Sequence, residues 1–240
     1  MDSLFENLYN DKKPLAEKMR PKNLDEFVGQ KHILGPGKLL RRLIEAKRVP
    51  SVIFYGPPGT GKTTLARIIA DTSNSKFVKL NAISSGVADV KSVIEQAKND
   101  FELYGQRTYL LLDECHRWSK AQSDSLLASL ENGYLIFIGC TTENPSYSMT
   151  RAIVSRCSVF EFKKLSIEDV KCVLRRAMES ETGLKVYNIK IDDDALTYIA
   201  SACGGDVRSA LTGLELGAIS TPMNKEGETV ITKEIAAECL

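Results

Sequence analysis

The sequence predicts an α/β fold in which a parallel five-stranded sheet carries helices on both faces and is followed by a small all-helical domain. Short apolar runs with the length of buried strands occur at residues 52–55, 77–80, 109–112, 135–140 and 159–162. Helical patterns separate most of these runs, and this alternation is typical of a parallel sheet covered on both sides. In such sheets, ligands bind beyond the carboxyl ends of the strands.

The predicted helices fall into two groups along the chain. Between the strands, an apolar face recurs at helical spacing in residues 61–70, 87–101 and 121–130. After residue 162 the strands stop, and helical patterns cover residues 167–180, 193–202, 207–219 and 233 to the end. We therefore predict a core domain of residues 1–163, with residues 1–20 extended or partly ordered, and a helical domain of residues 164–240.

Composition and charge are those of an ordinary globular protein. Hydrophobic residues make up 43% of the chain, charged residues make up 26%, and the net charge of +1 indicates no particular partner. The longest apolar runs, such as residues 134–140, are far shorter than a bilayer span. The N-terminus has neither a basic signal nor an arginine-rich transit pattern, so we expect a cytoplasmic protein.

The six cysteines are spread along the chain without a CxxC pair, and the only histidines are His32 and His116. Reduced thiols are therefore expected. Cys115 and His116 are adjacent and could contribute to a metal site, but zinc needs three or four clustered ligands. A buried, apolar role for Cys115 is the preferred interpretation.

Residues 56–63 match the phosphate-binding pattern GxxxxGK(S/T), directly after the first predicted strand and at the start of a helical pattern. Glycines let successive backbone N–H groups point at a phosphate, and the helix N-terminus adds its positive end. We expect Lys62 to reach the β- and γ-phosphates of ATP and Thr63 to bind Mg²⁺. A chance glycine-rich turn is the alternative, which the flanking strand and helix disfavour. The predicted nucleotide-binding residues are Gly56, Pro57, Pro58, Gly59, Thr60, Gly61, Lys62, Thr63 and Thr64.

Two carboxylates, Asp113 and Glu114, follow the third predicted strand. An acid pair after a strand is common, but it becomes specific when a phosphate-binding loop precedes it in the chain. Mg²⁺ and an attacking water both need such groups beside a triphosphate. We predict that Asp113 holds the metal and that Glu114 orients or deprotonates the water.

Several sequence blocks resemble the AAA+ superfamily of ATPases, in its clamp-loader-like branch. Residues 154–157 (VSRC) match the SRC element of clamp-loader subunits. Other blocks resemble the RarA (MgsA) family, which includes the eukaryotic Werner-helicase-interacting ATPases; they are residues 14–21, 24–30, 113–117 and 139–146. The resemblance covers residues 14–214, and the TTENP sequence of the last block is its most discriminating part.

The resemblance implies roles for residues outside the two motifs. Arg156 would be an arginine finger that acts on ATP bound by a neighbouring subunit, and Arg208 would be the sensor 2 residue of a helical lid. A planar guanidinium suits both roles because it matches phosphate oxygens. Thr142 would be the sensor 1 residue, and Val28 and Gly29 would lie near the adenine.

Three assignments stay open at this stage. The sensor 1 residue could be Thr141 or Thr142, because the register at the end of the strand decides which side chain faces the nucleotide. Asn81, after the second predicted strand, either restrains Glu114 or caps a turn. Without the family pattern, Arg156 would be read as a surface ion-pair partner.

The resemblance also implies partners. The family acts on forked, single-stranded or end-containing DNA together with replication proteins such as single-strand-binding protein, which implies a nucleoid-associated location. We expect Arg117 and Lys120 to contact DNA and Trp118 to pack, with a solvated surface as the alternative for the two cations. The family forms homo-oligomers through a domain beyond the lid. That domain is expected to be absent from residues 1–240, so this chain alone could be monomeric.

Together with these residues, the resemblance implies the function of a DNA-dependent ATPase of replication-fork maintenance and recombination, which hydrolyses ATP at subunit interfaces of a ring. A clamp-loader subunit would use the same chemistry on a sliding clamp. A small-molecule kinase would not need Glu114 or the SRC element. A nucleotide-gated scaffold fits poorly with Lys62, Asp113, Glu114 and Arg156 together.

Overall fold

The computed structural model describes residues 13–240, and the chain divides into two compact units. One unit, here called the sheet unit, consists of residues 30–163. The other, the helical unit, combines residues 164–240 with the described residues up to 29. The sequence prediction placed residues 13–29 in the core domain, whereas here they group with residues 164–240; residues 1–12 lie outside the described part.

The secondary structure of residues 13–240 alternates as the apolar pattern predicts. The strands are β1 (Val52–Tyr55), β2 (Lys76–Asn81), β3 (Thr108–Asp113), β4 (Leu135–Thr141), β5 (Ser158–Glu161), β6 (Ile189–Ile191) and β7 (Thr229–Ile231). The α-helices are α1 (Leu15–Lys18), α2 (Lys31–Leu34), α3 (Leu39–Glu45), α4 (Lys62–Thr72), α5 (Val87–Tyr104), α6 (Lys120–Asn132), α7 (Pro145–Ser148), α8 (Arg151–Val154), α9 (Ile167–Glu179), α10 (Asp193–Ala202), α11 (Val207–Ser220) and α12 (Lys233–Glu238). Two 3₁₀ turns span Cys115–Arg117 and Lys185–Tyr187.

The sheet unit contains the predicted parallel five-stranded sheet, in the order β2-β3-β4-β1-β5. Leu110 and Leu112 of β3 pack in one cluster with residues of α5 and α6. Leu111 between them is equally buried. Because successive side chains of a strand point to opposite faces, both faces of the sheet are covered.

Register brings the carboxyl ends of four strands to one edge of the sheet. Tyr55 at the end of β1 lies opposite Thr141 at the end of β4. Asp113 at the end of β3 lies opposite Cys140 of β4 and Asn81 of β2. The polar residues that follow these strands therefore share one edge, where ligands of parallel sheets bind.

The helical unit packs α9 to α12 and α1 around one apolar core. Leu15 and Met19 are buried in that core, and Arg176 donates to the backbone carbonyls of Met19 and Glu26 at 3.2 and 2.7 Å. These contacts explain why residues 13–29 belong to this unit, and α1 makes part of the predicted extended segment helical.

The helical unit also contains a parallel pair of strands, β6 and β7. The sequence prediction of helices alone after residue 162 missed them. Each strand has only three residues, which is too short for an alternating pattern to stand out from a loop. Within residues 13–240, no helix has the length and apolar character needed to cross a membrane.

Candidate active site

The phosphate-binding loop joins β1 to α4, as the motif predicts. Gly56 has a φ of 139°, and a Cβ atom on it would lie 2.1 Å from the carbonyl oxygen of Phe162. Gly61 has a φ of 96° at the N-cap of α4. Both positions require glycine, the first for close approach and the second for a left-handed backbone. The loop therefore delivers the chain onto a helix N-terminus that faces the shared edge of the sheet.

Replacing Gly56 with alanine is expected to destabilise the sheet unit, because the added methyl group would overlap the backbone of Phe162. We expect a loss of about 3 kcal/mol or more in the free energy of unfolding, measured by urea denaturation. The control is Gly105→Ala, at a φ of 65° with open space around the Cβ position, which should cost only about 1 kcal/mol. Equal losses for the two variants would contradict this explanation.

Hydrogen bonds fix the loop in its present conformation. Lys62 is buried, and its Nζ donates to the carbonyl oxygens of Gly56 and Pro57 at 2.8 and 2.7 Å. The hydroxyl of Thr60 donates to the same Pro57 oxygen at 2.8 Å. The backbone N–H of Gly56 donates to the carbonyl oxygen of Thr141 at 3.1 Å. The loop is thus tied both to its own lysine and to the end of β4.

The remaining loop residues differ in exposure. Pro57 and Gly59 are half-buried, and Pro58 is exposed. Thr63 and Thr64 are half-buried in the first turn of α4. A hydroxyl in the first turn of a helix, next to the unpaired N–H groups, is well placed for a ligand that carries phosphate and a hard metal ion.

The acid pair lies two strands away from the loop at the same edge of the sheet. Asp113 ends β3, and its Oδ2 lies 3.5 Å from Nζ of Lys79. Because β4 separates β3 from β1, the two strand ends are roughly 10 Å apart. Burial and the charge of Asp113 raise the pKa of the Cys140 thiol of β4 well above its ordinary value, while Lys62 and Lys79 act to lower this pKa. The charges of Lys62 in the loop and of Asp113 in the acid pair therefore both act on the Cys140 thiol.

Glu114 has a left-handed backbone with a φ of 55°. Few residues other than glycine adopt this region, and such positions cluster at functional sites. Its side chain is 34% exposed, and the chain continues as a 3₁₀ turn in which Arg117 N–H donates to the Glu114 carbonyl at 2.9 Å. The carboxylate that follows β3 is therefore partly accessible to solvent.

The two candidate sensor 1 residues, Thr141 and Thr142, differ in exposure at the end of β4. Thr141 is 1% exposed, and its Oγ1 lies 2.8 Å from Nδ1 of His116 and accepts from the N–H of Glu143 at 3.0 Å. Thr142 follows the strand and is exposed. The Thr141 hydroxyl is thus engaged within the chain, whereas the exposed position of Thr142 favours it for contact with a ligand.

Arg156 follows α8 and is paired within its own chain. Its Nε donates to Oε1 of Glu131 on α6 at 2.9 Å, and its Nη2 contacts the same oxygen. Its Nη1 donates to the carbonyl oxygen of Ala152 at 2.9 Å. The Arg156 side chain is 37% exposed and that of Glu131 is 57% exposed, so the pair contributes about 1 kcal/mol or less and can exchange for a stronger partner.

Comparison with known proteins identifies the family. Residues 52–165 match the sequence pattern of the ATPase family associated with various cellular activities (AAA), and residues 185–240 match the AAA C-terminal domain. Replication-associated recombination protein A from Bacillus subtilis is 45% identical over 95% of this chain and 53% of its own length. The Escherichia coli K12 protein of that name is 43% identical over 95% of this chain and 51% of its own length.

The chain belongs to the AAA family of ATPases, in the group of replication-associated recombination protein A. ATPase WRNIP1 of Dictyostelium discoideum is 41% identical over 90% of this chain and 24% of its own length. The chain thus spans about half the length of its bacterial relatives, 53% of the Bacillus subtilis protein. The Thermotoga maritima RuvB Holliday junction branch migration motor shares the fold, with a TM-score of 0.70 at 24% identity over 92% of this chain and 72% of RuvB.

Three residues with roles implied by AAA+ resemblance lie in the helical unit. Val28 is half-buried against its core. Gly29 has a φ of 83°, and a Cβ on it would lie 2.2 Å from Cδ2 of Leu165. Arg208 is exposed in the first turn of α11, where its backbone N–H donates to Oδ1 of Asp206 at 2.9 Å. The adenine contacts and the sensor 2 role stay predictions.

Of the residues considered for DNA contact, Arg117 and Lys120 are exposed at either side of the N-cap of α6. Trp118 between them packs partly buried against the core of the sheet unit. The two cations thus point to solvent directly after the acid pair, and their contact with DNA stays a prediction.

The structure also shows the surroundings of Asn81 and Cys115. The carboxamide oxygen of Asn81 accepts from the N–H of Ile83 at 2.8 Å, which is the turn-capping alternative. Cys115 is buried with its Sγ 3.5 Å from Sδ of Met149, and burial raises the pKa of its thiol well above the ordinary value. A thiol held neutral in this way is a poor metal ligand.

Sequence reasoning missed the surroundings of His116. Its Nδ1 lies 3.6 Å from Oε2 of Glu114, and its Nε2 lies 3.6 Å from Oε1 of Glu143. The available signal was a histidine two positions after the predicted water-positioning glutamate. The sequence indicated a possible metal ligand at this position, but the proximity of Thr141 and Glu143 could not be predicted because it depends on how β3 and β4 align.

Proposed function

We propose that this chain is the ATP-hydrolysing part of a DNA-dependent ATPase of replication-fork maintenance and recombination, which works at the subunit interfaces of a ring-like homo-oligomer. The observation that carries the proposal is the common edge of the sheet, to which β1 brings the phosphate loop and β3 brings Asp113 and Glu114. The names of the relatives support the link to replication and recombination. A nucleoid-associated, cytoplasmic location is part of the proposal.

Lys62 is the principal contact for the triphosphate in this proposal. Its ammonium now donates to the carbonyl oxygens of Gly56 and Pro57. Phosphate oxygens are charged acceptors and form stronger hydrogen bonds than carbonyl oxygens do. When ATP binds, Lys62 is expected to turn toward the β- and γ-phosphates, while backbone N–H groups of the loop and the start of α4 surround the β-phosphate.

The residues present also fit Mg²⁺, a hard cation that takes oxygen ligands and keeps several waters. Thr63 offers a hydroxyl at the start of α4, and Asp113 offers a carboxylate that is 26% exposed. When bound, the metal neutralises negative charge on the phosphates. Lys79 lies 3.5 Å from Asp113, so its charge partly offsets that of this carboxylate.

Glu114 acts on the lytic water, since its carboxylate is accessible at the same edge of the sheet. Thr142 contacts the γ-phosphate from the end of β4, and Arg208 is proposed as the sensor 2 residue. Arg156 exchanges its contact with Glu131 for a contact with the γ-phosphate of ATP that is bound to a neighbouring subunit. Each of these groups would stabilise charge or hold a reactant in place, which is how such enzymes gain most of their rate.

DNA is proposed to contact the surface formed by Arg117 and Lys120. The double variant Arg117→Ala/Lys120→Ala should weaken binding to single-stranded DNA and reduce the slope of log affinity against log salt by about 1.4, since two phosphate contacts are lost. Fluorescence anisotropy over a range of salt concentrations measures both effects. The matched control is Lys38→Ala/Arg42→Ala, which removes two exposed cations from residues 38–42. An unchanged slope in the first double variant would refute this DNA surface.

The proposed function is tested by ATP turnover of the protein with and without forked or single-stranded DNA. Stimulation by DNA alone is the expected result. Stimulation that requires a sliding clamp would instead indicate a clamp loader, and transfer of phosphate to a small acceptor would indicate a kinase. Turnover without any effect of DNA would contradict the proposal. Single-strand-binding protein added to the DNA would reveal whether it acts as a partner.

A further inference from the structure

The imidazole of His116 lies between the acid pair and the end of β4. Its side chain is only 9% exposed. Nδ1 is within hydrogen-bond distance of the Thr141 hydroxyl at 2.8 Å, whereas the carboxylates of Glu114 and Glu143 each lie 3.6 Å from a ring nitrogen. One nearly buried polar ring therefore contacts the proposed water-positioning carboxylate and the segment that leads to Thr142.

The contacts constrain the ring in direction as well as in position. Nε2 lies 3.6 Å from the carboxylate of Glu143, which when ionised accepts hydrogen bonds and donates none, so a proton on Nε2 suits this pair. Nδ1 then accepts from the Thr141 hydroxyl, whose oxygen already accepts from the N–H of Glu143. In this arrangement Nδ1 is hydrogen-bonded to Thr141, Nε2 faces Glu143, and the ring lies beside Glu114.

The backbone conformation of Glu114 does not by itself fix the position of its carboxylate. Glu114 has a φ of 55°, and its carboxylate projects from a short turn instead of a regular strand or helix. A long, partly exposed side chain on such a turn has several rotamers. A fixed ring at 3.6 Å limits these rotamers and links the carboxylate to residues 141–143, directly beside Thr142.

We propose that His116 is a positioning residue for Glu114. The imidazole aligns the Glu114 carboxylate with the water and couples this carboxylate to residues 141–143 at the end of β4. This inference rests on the proposed role of Glu114 in hydrolysis. Because His116 touches neither nucleotide nor water in this scheme, its loss should affect the rate of the chemical step and leave the affinity for ATP unchanged. Misplacement of a reacting group by about 1 Å lowers rates by about 100-fold.

The test compares two replacements of His116 in the protein. His116→Phe keeps the ring volume but removes both nitrogens, and we expect kcat to fall by about 10- to 100-fold with KM for ATP unchanged within about twofold. His116→Asn places an amide near the position of Nδ1, can still bond the Thr141 hydroxyl, and should recover part of kcat. The control His32→Phe removes the other histidine, whose Nε2 contacts the carbonyl of Glu161 at 2.8 Å, and should leave turnover unchanged.

A double variant separates positioning from packing. If His116 acts through Glu114, then His116→Phe should lower turnover no further in a Glu114→Gln background. Multiplicative losses in the double variant, or failure of His116→Asn to recover any activity, would overturn the inference. If Glu114→Gln itself keeps wild-type turnover, the proposed function of Glu114 fails. If Glu114→Gln loses turnover and His116→Phe does not, only this inference fails.

Discussion

Replacement of Glu114 with glutamine should lower ATP turnover by about two to four orders of magnitude and leave ATP binding intact. The amide has the shape of the carboxylate but cannot accept a proton from water, so only the chemical step is affected. Phosphate release measures the rate, and a fluorescent ATP analogue at equilibrium measures the binding. The variant should hold ATP long enough for the bound nucleotide to be recovered unhydrolysed.

The matched control for this variant is Asp124→Asn. Asp124 is an exposed carboxylate on α6, which begins shortly after Glu114 in the chain. Its removal changes the net charge by the same amount and should leave turnover within about twofold. Turnover by Glu114→Gln within about tenfold of the wild type would show that another group handles the water.

Replacement of Arg156 with alanine should lower turnover in the assembled protein by about a thousandfold or more, the range that arginine fingers contribute. The present pairing of Arg156 with Glu131 is exposed and weak, so a neighbouring triphosphate would compete with it effectively. Arg151→Ala, which removes another exposed arginine nearby on α8, is the control.

A mixing experiment tests whether Arg156 acts in trans. Subunits with Arg156→Ala keep Glu114, and subunits with Glu114→Gln keep Arg156. When the two variants are mixed, some interfaces combine an intact Glu114 site with an intact neighbouring Arg156, so turnover should recover well above that of either variant alone. No recovery on mixing, despite formation of mixed oligomers, would mean that Arg156 serves its own subunit or only the structure.

The sheet and the phosphate loop could be predicted because their signals are local. Each strand of the sheet is a short apolar run, and the β4 run 135–140 became the strand Leu135–Thr141 with every residue buried. The loop motif lies between such a run and an amphipathic helix, so its position at the edge of the sheet follows from chain direction. The acid pair follows by the same reasoning from β3.

Features that depend on distant contacts were not predictable. Residues 13–29 join the helical unit through Leu15, Met19 and Arg176, and these contacts leave no periodic signal near the N-terminus. The pairing of Arg156 with Glu131 depends on how α6 and α8 pack in the folded unit. Local pattern gives element type, whereas partners across the fold are set by packing.

The surroundings of His116 are a third example. Its neighbours Thr141 and Glu143 are distant in sequence and come close only because Asp113 of β3 aligns with Cys140 of β4. A shift of one residue in this register would send the side chains of β4 to opposite faces. The histidine was visible in the sequence, but its partners required the three-dimensional structure.

The most direct test is a structure of the Glu114→Gln variant with ATP and Mg²⁺. We predict that the β-phosphate lies about 3 Å from backbone nitrogens of residues 59–63 and from Nζ of Lys62, with the metal beside Thr63 and Asp113. The γ-phosphate should face residue 114. A nucleotide bound elsewhere, or a triphosphate with Lys62 still donating to Gly56 and Pro57, would contradict the account.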